Sequence, residues 1–214
     1  MSLRHSPRLR APASSSASAT TRRKWIGAEA VEPARELGSS ASRITLQWTP
    51  GQTSLAEADI VELQRAVSAA KGIKVVLSVY GNAGSSAPHT DAAREEYCGY
   101  VEDALAHFRS VRDVVIWNEP NKSLFWRPQL AEDGAAAAPV AYEALLARCY
   151  DLLHSAFADV NVIDLALSPH SPGAFIRALG AAYRATTGND DAGSQLPALR
   201  EEGRARAWCP AGVL

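Results

Sequence analysis

The sequence lacks any appreciable net charge: 22 Lys and Arg face 23 Asp and Glu, for a formal value of −1. Without a basic excess, nothing global draws the chain to nucleic acid or to anionic lipid. Also missing is an apolar run of the roughly 20 residues a bilayer crossing needs, so no membrane partner is expected. The apolar stretch of about 7–15 residues that marks a secretory signal is absent from the N-terminus, and the compartment stays open. No G-x-G-x-x-G or P-loop pattern follows any apolar run, which argues against a nucleotide cofactor. Cysteine is scarce. Cys98, Cys149 and Cys209 are odd in number and lack metal-ligand spacing, so no metal is expected. Cys149 falls on the apolar face of a predicted helix and reads as a buried free thiol.

Acidic residues are missing from residues 1–24, where Arg4, Arg8, Arg10, Arg22, Arg23 and Lys24 stand among Ser and Ala. So little apolar surface predicts a disordered tail; an Arg- and Ser-rich organellar presequence shares this composition. Residues 25–188 read as one domain and 189–214 as an irregular tail.

What the middle of the chain does contain is alternation. Arg43 to Trp48, Lys74 to Tyr80, Val114 to Trp117 and Val162 to Leu167 are short runs rich in β-branched residues. Each precedes a helical pattern. Ser54 with Glu57 resembles a capping box, and Ile60, Leu63, Val67 and Ala70 form a stripe ending near Gly72. The second helix starts near Thr90 and aligns Tyr97, Val101, Leu105 and Phe108. The third has Pro139 near its start and aligns Tyr142, Leu145, Leu146, Cys149 and Leu153. The fourth follows Ser171 and Pro172, carries Phe175, Leu179 and Tyr183, and stops at Gly188. Serial strand–helix units with near-continuous apolar strands predict parallel strands covered by helices. Polar and aromatic residues (Trp48, Tyr80, Asn82, Glu119, Asn121, His170) gather after the strand ends. Barrels and doubly wound sheets both place their sites there.

The informative segment is Trp117-Asn118-Glu119-Pro120-Asn121. It sets a carboxylic acid at the end of a buried strand, between an aromatic residue and a rigid proline. Shielding from water favours the protonated form of a carboxyl group, which can then donate to a leaving oxygen. Glycosidic cleavage needs such an acid and a second carboxylate as nucleophile or base.

The segment resembles the acid/base motif of the clan A glycoside hydrolases, cellulase-like (β/α)8 enzymes in which an Asn-Glu-Pro ends strand 4. Leu37 to Trp48 is similar to that family's passage into strand 2, with Arg43 in the place of its conserved arginine. The resemblance covers roughly residues 35–188. It implies an α/β fold, a partial (β/α)8 TIM barrel of strands 2 to 5 with their helices, not closed. It also implies hydrolysis of O-glycosidic bonds with retention, no cofactor, and an oligosaccharide, polysaccharide or glycoside as partner. Glu119 would be acid then base, Asn118 would hold a sugar hydroxyl, and Arg43 would orient the nucleophile. Tyr80, Asn82, Asn121 and Trp126 would line the cleft; His170 ends the last strand, with facing the cleft and capping a helix as its two readings.

The family's nucleophile, a glutamate ending strand 7, has no counterpart here, and the chain reads as truncated. Asp164, expected within the last strand, would lie too deep to replace it. Activity is therefore an open question. A carbohydrate-binding remnant and an inactive fragment are the alternatives, and two open half-barrels could pair through their free edges as a homodimer.

Overall fold

The computed structural model describes residues 31, 33–81, 86–169 and 172–188. The expectations for residues 1–24, Trp25 to Gly27, Asn82, His170, Ser171 and the segment from residue 189 lie outside these. Val31 and residues 33–36 are helical. The main elements then alternate: β1 (Ala41–Trp48), α1 (Glu57–Ala69), β2 (Lys74–Gly81), α2 (Asp91–His107), β3 (Asp113–Ile116), α3 (Ala137–Ala156), β4 (Asn161–Ile163) and α4 (Pro172–Thr187). The strands form one parallel sheet in the order β1-β2-β3-β4. It is an open α/β sheet, as the βα repeat predicts, and among the described residues β1 and β4 each have a neighbour on one side only.

The register separates two faces. Ile44, Leu46, Trp48, Leu77, Val79, Val114 and Ile116 belong to a core shared with helix residues such as Leu63, Tyr97, Val101, Tyr142 and Leu145. The alternate positions form the other, concave face. Arg43, Val76 and Asp113 share one row of it, and Thr45, Ser78 and Val115 share the next. At its lower end Lys74 pairs with Asp113 at 2.8 Å, and Asn161 donates to Asp113 at 2.7 Å. Asp113 is buried, and these two partners supply the compensation that a buried carboxylate requires.

Four expectations need correction. Cys149 is not a free thiol but is joined to Cys98, tying α3 to α2 with Cα atoms 5.0 Å apart. Two cysteines 51 residues apart, each on a different helix, gave no local signal of this pairing. The first helix begins at Glu57 rather than Ser54; its N-cap is Ala56, with no side-chain capping bond. Instead the Leu55 N–H is taken by the Asp103 carboxylate on α2 at 2.8 Å. Tertiary contact has overridden the local motif. The last strand is three residues long, and Asp164 lies past its end, exposed. It is therefore not within the strand, and by alternation it falls with Ile116 and Val162 on the helix side rather than the concave one. Tyr183 is 41% exposed, so the α4 stripe stops at Leu179.

Candidate active site

The strand ends around β3 hold the chemistry-bearing residues together. Strand alternation would place Trp117 with Val115 on the concave face. It lies instead in the helix-side core, fully buried, with its ring 5.5 Å from Tyr97 and 5.6 Å from Trp126. The cause is backbone: Trp117 has φ 65° and Glu119 has φ 42°, both in the left-handed region. A left-handed residue breaks the period of two, so from Trp117 onward the side chains no longer follow the strand's alternation. Asn118 thus reaches the concave side, where Arg43 donates to its Oδ1 at 2.8 Å.

Left-handed dihedrals cost side-chain-bearing residues about 1–3 kcal/mol and persist only where the surroundings hold them. Here several bonds do so. The Trp117 N–H is shared between the Val79 carbonyl and the Tyr97 hydroxyl, each at 3.0 Å. The Tyr97 hydroxyl in turn donates to the Val79 carbonyl at 2.8 Å, and the Tyr142 hydroxyl donates to the Ile116 carbonyl at 2.8 Å. Trp117 Nε1 donates to the Phe125 carbonyl at 2.9 Å, and the Glu119 N–H to the Ala166 carbonyl at 2.7 Å. Burial pushes both tyrosine hydroxyls up, well above their ordinary pKa, so they stay neutral donors. Gly81 gives room for this arrangement: a Cβ there would stand 2.7 Å from the Trp117 ring.

Arg43 crosses the concave face from β1. It donates to the Ser78 hydroxyl at 2.6 Å as well as to Asn118. Burial of the guanidinium lowers its pKa, while Tyr80 and Glu119 act in the opposite direction. Glu119 itself is half-buried.

Arg43, Asn118, Glu119 and Tyr80 therefore stand together. Asn121 is engaged elsewhere: its Nδ2 donates to the Ser168 carbonyl at 3.0 Å and its Oδ1 accepts from the Ser168 N–H at 2.9 Å. It ties the loop after β3 to the segment after β4. Trp126, expected in the cleft, is 0% exposed and packs on Trp117, His89 and Tyr142, so no face of it is open to a ligand. Trp48, another strand-end aromatic, is also in the core. The aromatic residue beside Tyr80 is Phe125, half-buried, edge to face at 5.8 Å. Ser78 and Phe125 were not foreseen; the alternation of β2 places Ser78 with Tyr80, whereas a loop phenylalanine carries no such signal.

No family model matches the chain, and no curated protein matches it. Among solved structures, it is similar to a double mutant of the beta-glucosidase from Trichoderma harzianum, at 15% identity and a TM-score of 0.45, over 64% of this chain and 36% of that one. It is also similar to beta-glucosidase 2 from the fungus Trichoderma reesei in complex with Tris, at 17% identity and a TM-score of 0.44, over 72% of this chain and 41% of that one. The chain spans well under half the length of either structure.

Among the described residues no group of three or more His, Cys, Asp or Glu is arranged to hold a metal ion. No described helix is long and apolar enough to cross a membrane.

Proposed function

We propose that this chain acts on O-glycosidic bonds of an oligosaccharide, polysaccharide or simple glycoside, with Glu119 as the acid/base carboxylate. The observation that carries this reading is the left-handed turn after β3, which sets Asn118 and Glu119 beside Arg43 at the mouth of the concave face. Arg43 fixes the Asn118 amide by its oxygen, which leaves the Nδ2 hydrogens to donate to a sugar hydroxyl. Tyr80, which acts on Arg43, packs edge to face on Phe125. Glu119 would protonate the leaving oxygen and later accept a proton from water, the retaining course of glycoside hydrolysis.

That course needs a second carboxylate. Asp164 lies past the end of β4 and acts on the core residue Tyr142 rather than on Arg43, and a second reading therefore has support: a carbohydrate-binding protein that does not cleave.

Aryl glycosides with poor leaving groups separate the two. With the parent chain active, Glu119→Gln should lower turnover by about 10²–10⁴-fold, the usual contribution of a general acid. Equal release of aglycone by parent, Glu119→Gln and Glu119→Ala would refute the role of Glu119. Oligosaccharide binding by calorimetry with no product from the parent would favour the second reading.

A further inference from the structure

We propose that Tyr142 is a positioning residue for Glu119, acting from α3 through the segment that follows β4. The catalytic consequence rests on the glycosidase reading above; the hold on the Glu119 backbone stands apart from it.

The first support is a matched pair of kinks. Asp113 pairs with Asn161 and Val115 with Ile163. Carried forward past the strand ends, this register sets Trp117 opposite Leu165. Both are left-handed, at φ 65° and φ 59°. Neither is a glycine, so each holds a conformation that its surroundings must enforce. After the kinks the two chains meet again. Bonds in a parallel pair are slanted, and Asn161 accordingly donates at 2.7 Å to the carbonyl of Arg112, the residue before its partner Asp113. The Glu119 N–H reaches the Ala166 carbonyl at 2.7 Å with the same slant, which restores the β3–β4 register. The Asn121 side chain, clasped to Ser168 in both directions, carries the contact two residues further.

The second support is a tyrosine behind each kink. The Tyr97 hydroxyl donates to the Val79 carbonyl at 2.8 Å and accepts from the Trp117 N–H at 3.0 Å. One strand along, the Tyr142 hydroxyl donates to the Ile116 carbonyl at 2.8 Å, and the Leu165 N–H bonds to it in turn. Val79 pairs with Ile116, the residue before Trp117. By the register above, Ile116 stands opposite Asp164, the residue before Leu165. Each tyrosine thus ties the end of one strand to the kink of the next. Tyr97 holds the kink that begins the Asn118–Glu119 turn. Tyr142 holds the kink whose next residue receives the Glu119 N–H.

The two holds act on Glu119 from opposite sides. Glu119 is itself left-handed, at φ 42°, and its N–H bond to Ala166 anchors it there. Leu165 sets where the Ala166 carbonyl points, and the Leu167 N–H, bonded to the Leu165 carbonyl at 2.7 Å, tightens the turn around Ala166. Without the Tyr142 hydroxyl the Ile116 carbonyl loses that donor and the Leu165 N–H its acceptor. Relaxation of Leu165 then carries the Ala166 carbonyl away from Glu119. A displacement of about 1 Å at a reacting group can cost about 10²-fold in rate. Tyr142 is 0% exposed, so its influence on the site runs through the backbone and not through contact with a ligand.

Hydrogen exchange at single amides of the full chain reads the hold directly. Tyr142→Phe should speed exchange of the Leu165 and Glu119 amides by about tenfold or more relative to the Leu77 amide, which reports the core. The Trp117 amide, held by Tyr97, should keep its protection. Leu153→Ala, buried on the same helix, is the control for plain destabilisation and should speed all four amides alike. Tyr142→Phe behaving as Leu153→Ala does, or leaving Glu119 unchanged, overturns the proposal. If Tyr142→Phe does not fold, Asn121→Ala loosens the same segment from its far end: faster exchange at Glu119 supports the hold, and unchanged exchange overturns it. On an aryl glycoside with a poor leaving group, Tyr142→Phe should lower kcat by about 10–10²-fold with KM little altered, and Leu153→Ala should not. Equal kcat in the two variants overturns the positioning. A parent chain that cleaves nothing refutes the glycosidase reading while the exchange result stands; cleavage by the parent with unchanged Glu119 exchange in Tyr142→Phe does the reverse.

Discussion

Tyr97 and Tyr142 read in the sequence as apolar stripe residues, yet their hydroxyls hold the backbone on which the site depends. Tyr97→Phe removes one donor and one acceptor at the end of β3 and should lower unfolding free energy by about 1–3 kcal/mol in urea titrations. Gly81→Ala should also destabilise, because its methyl group would press on the Trp117 ring. Glu143, buried on α3, has its pKa raised by desolvation, opposed by the Thr186 hydroxyl at 3.4 Å and by the charge of Arg94. A carboxyl whose folded-state pKa exceeds its unfolded value binds protons better when folded, so its ionisation penalises folding as pH rises through that interval. Glu143→Gln should therefore raise the melting temperature at pH 7, with the gain shrinking as pH falls through that interval and gone below the unfolded value. At this scale Glu119 drew attention through its residue type at a strand end, while Asn118 and Arg43 were named only through the resemblance. The sequence hid the displacement of Trp117, because a left-handed dihedral at a tryptophan has no sequence mark, and it hid the burial of Trp126, because a loop position does not reveal what packs over it.

The alternation of strand and helix was plain in the periodicities, and the boundaries that differ moved where another element intervened. The clearest case is α1, whose Ser54 signal lost to the Asp103 carboxylate of α2. The junction of α2 with α3 is the other case, since a bond between Cys98 and Cys149 depends on helix faces that meet only after folding. In the chain-entropy description a link across 51 residues restricts the unfolded state by about 4 kcal/mol. Cys98→Ser with Cys149→Ser should accordingly lower the melting temperature without moving the β3 turn, which calorimetry together with the fluorescence of Trp117 and its neighbours would show.

For the whole molecule, the parallel sheet was legible as four βα units. The face towards the helices is aromatic and dry, and the other face is mixed and charged. On the proposed function, stability and recognition fall on opposite sides of one layer, so substitutions at Leu77 or Ile116 should lower yield and those at Arg43 should alter ligand response. The Cys98–Cys149 bond adds a practical consequence. Such bonds persist in oxidising surroundings and are rare where glutathione keeps thiols reduced. Material from a reducing bacterial cytosol should therefore consume more thiol reagent than material from a periplasmic or lumenal host, and the two preparations should be assayed as different samples.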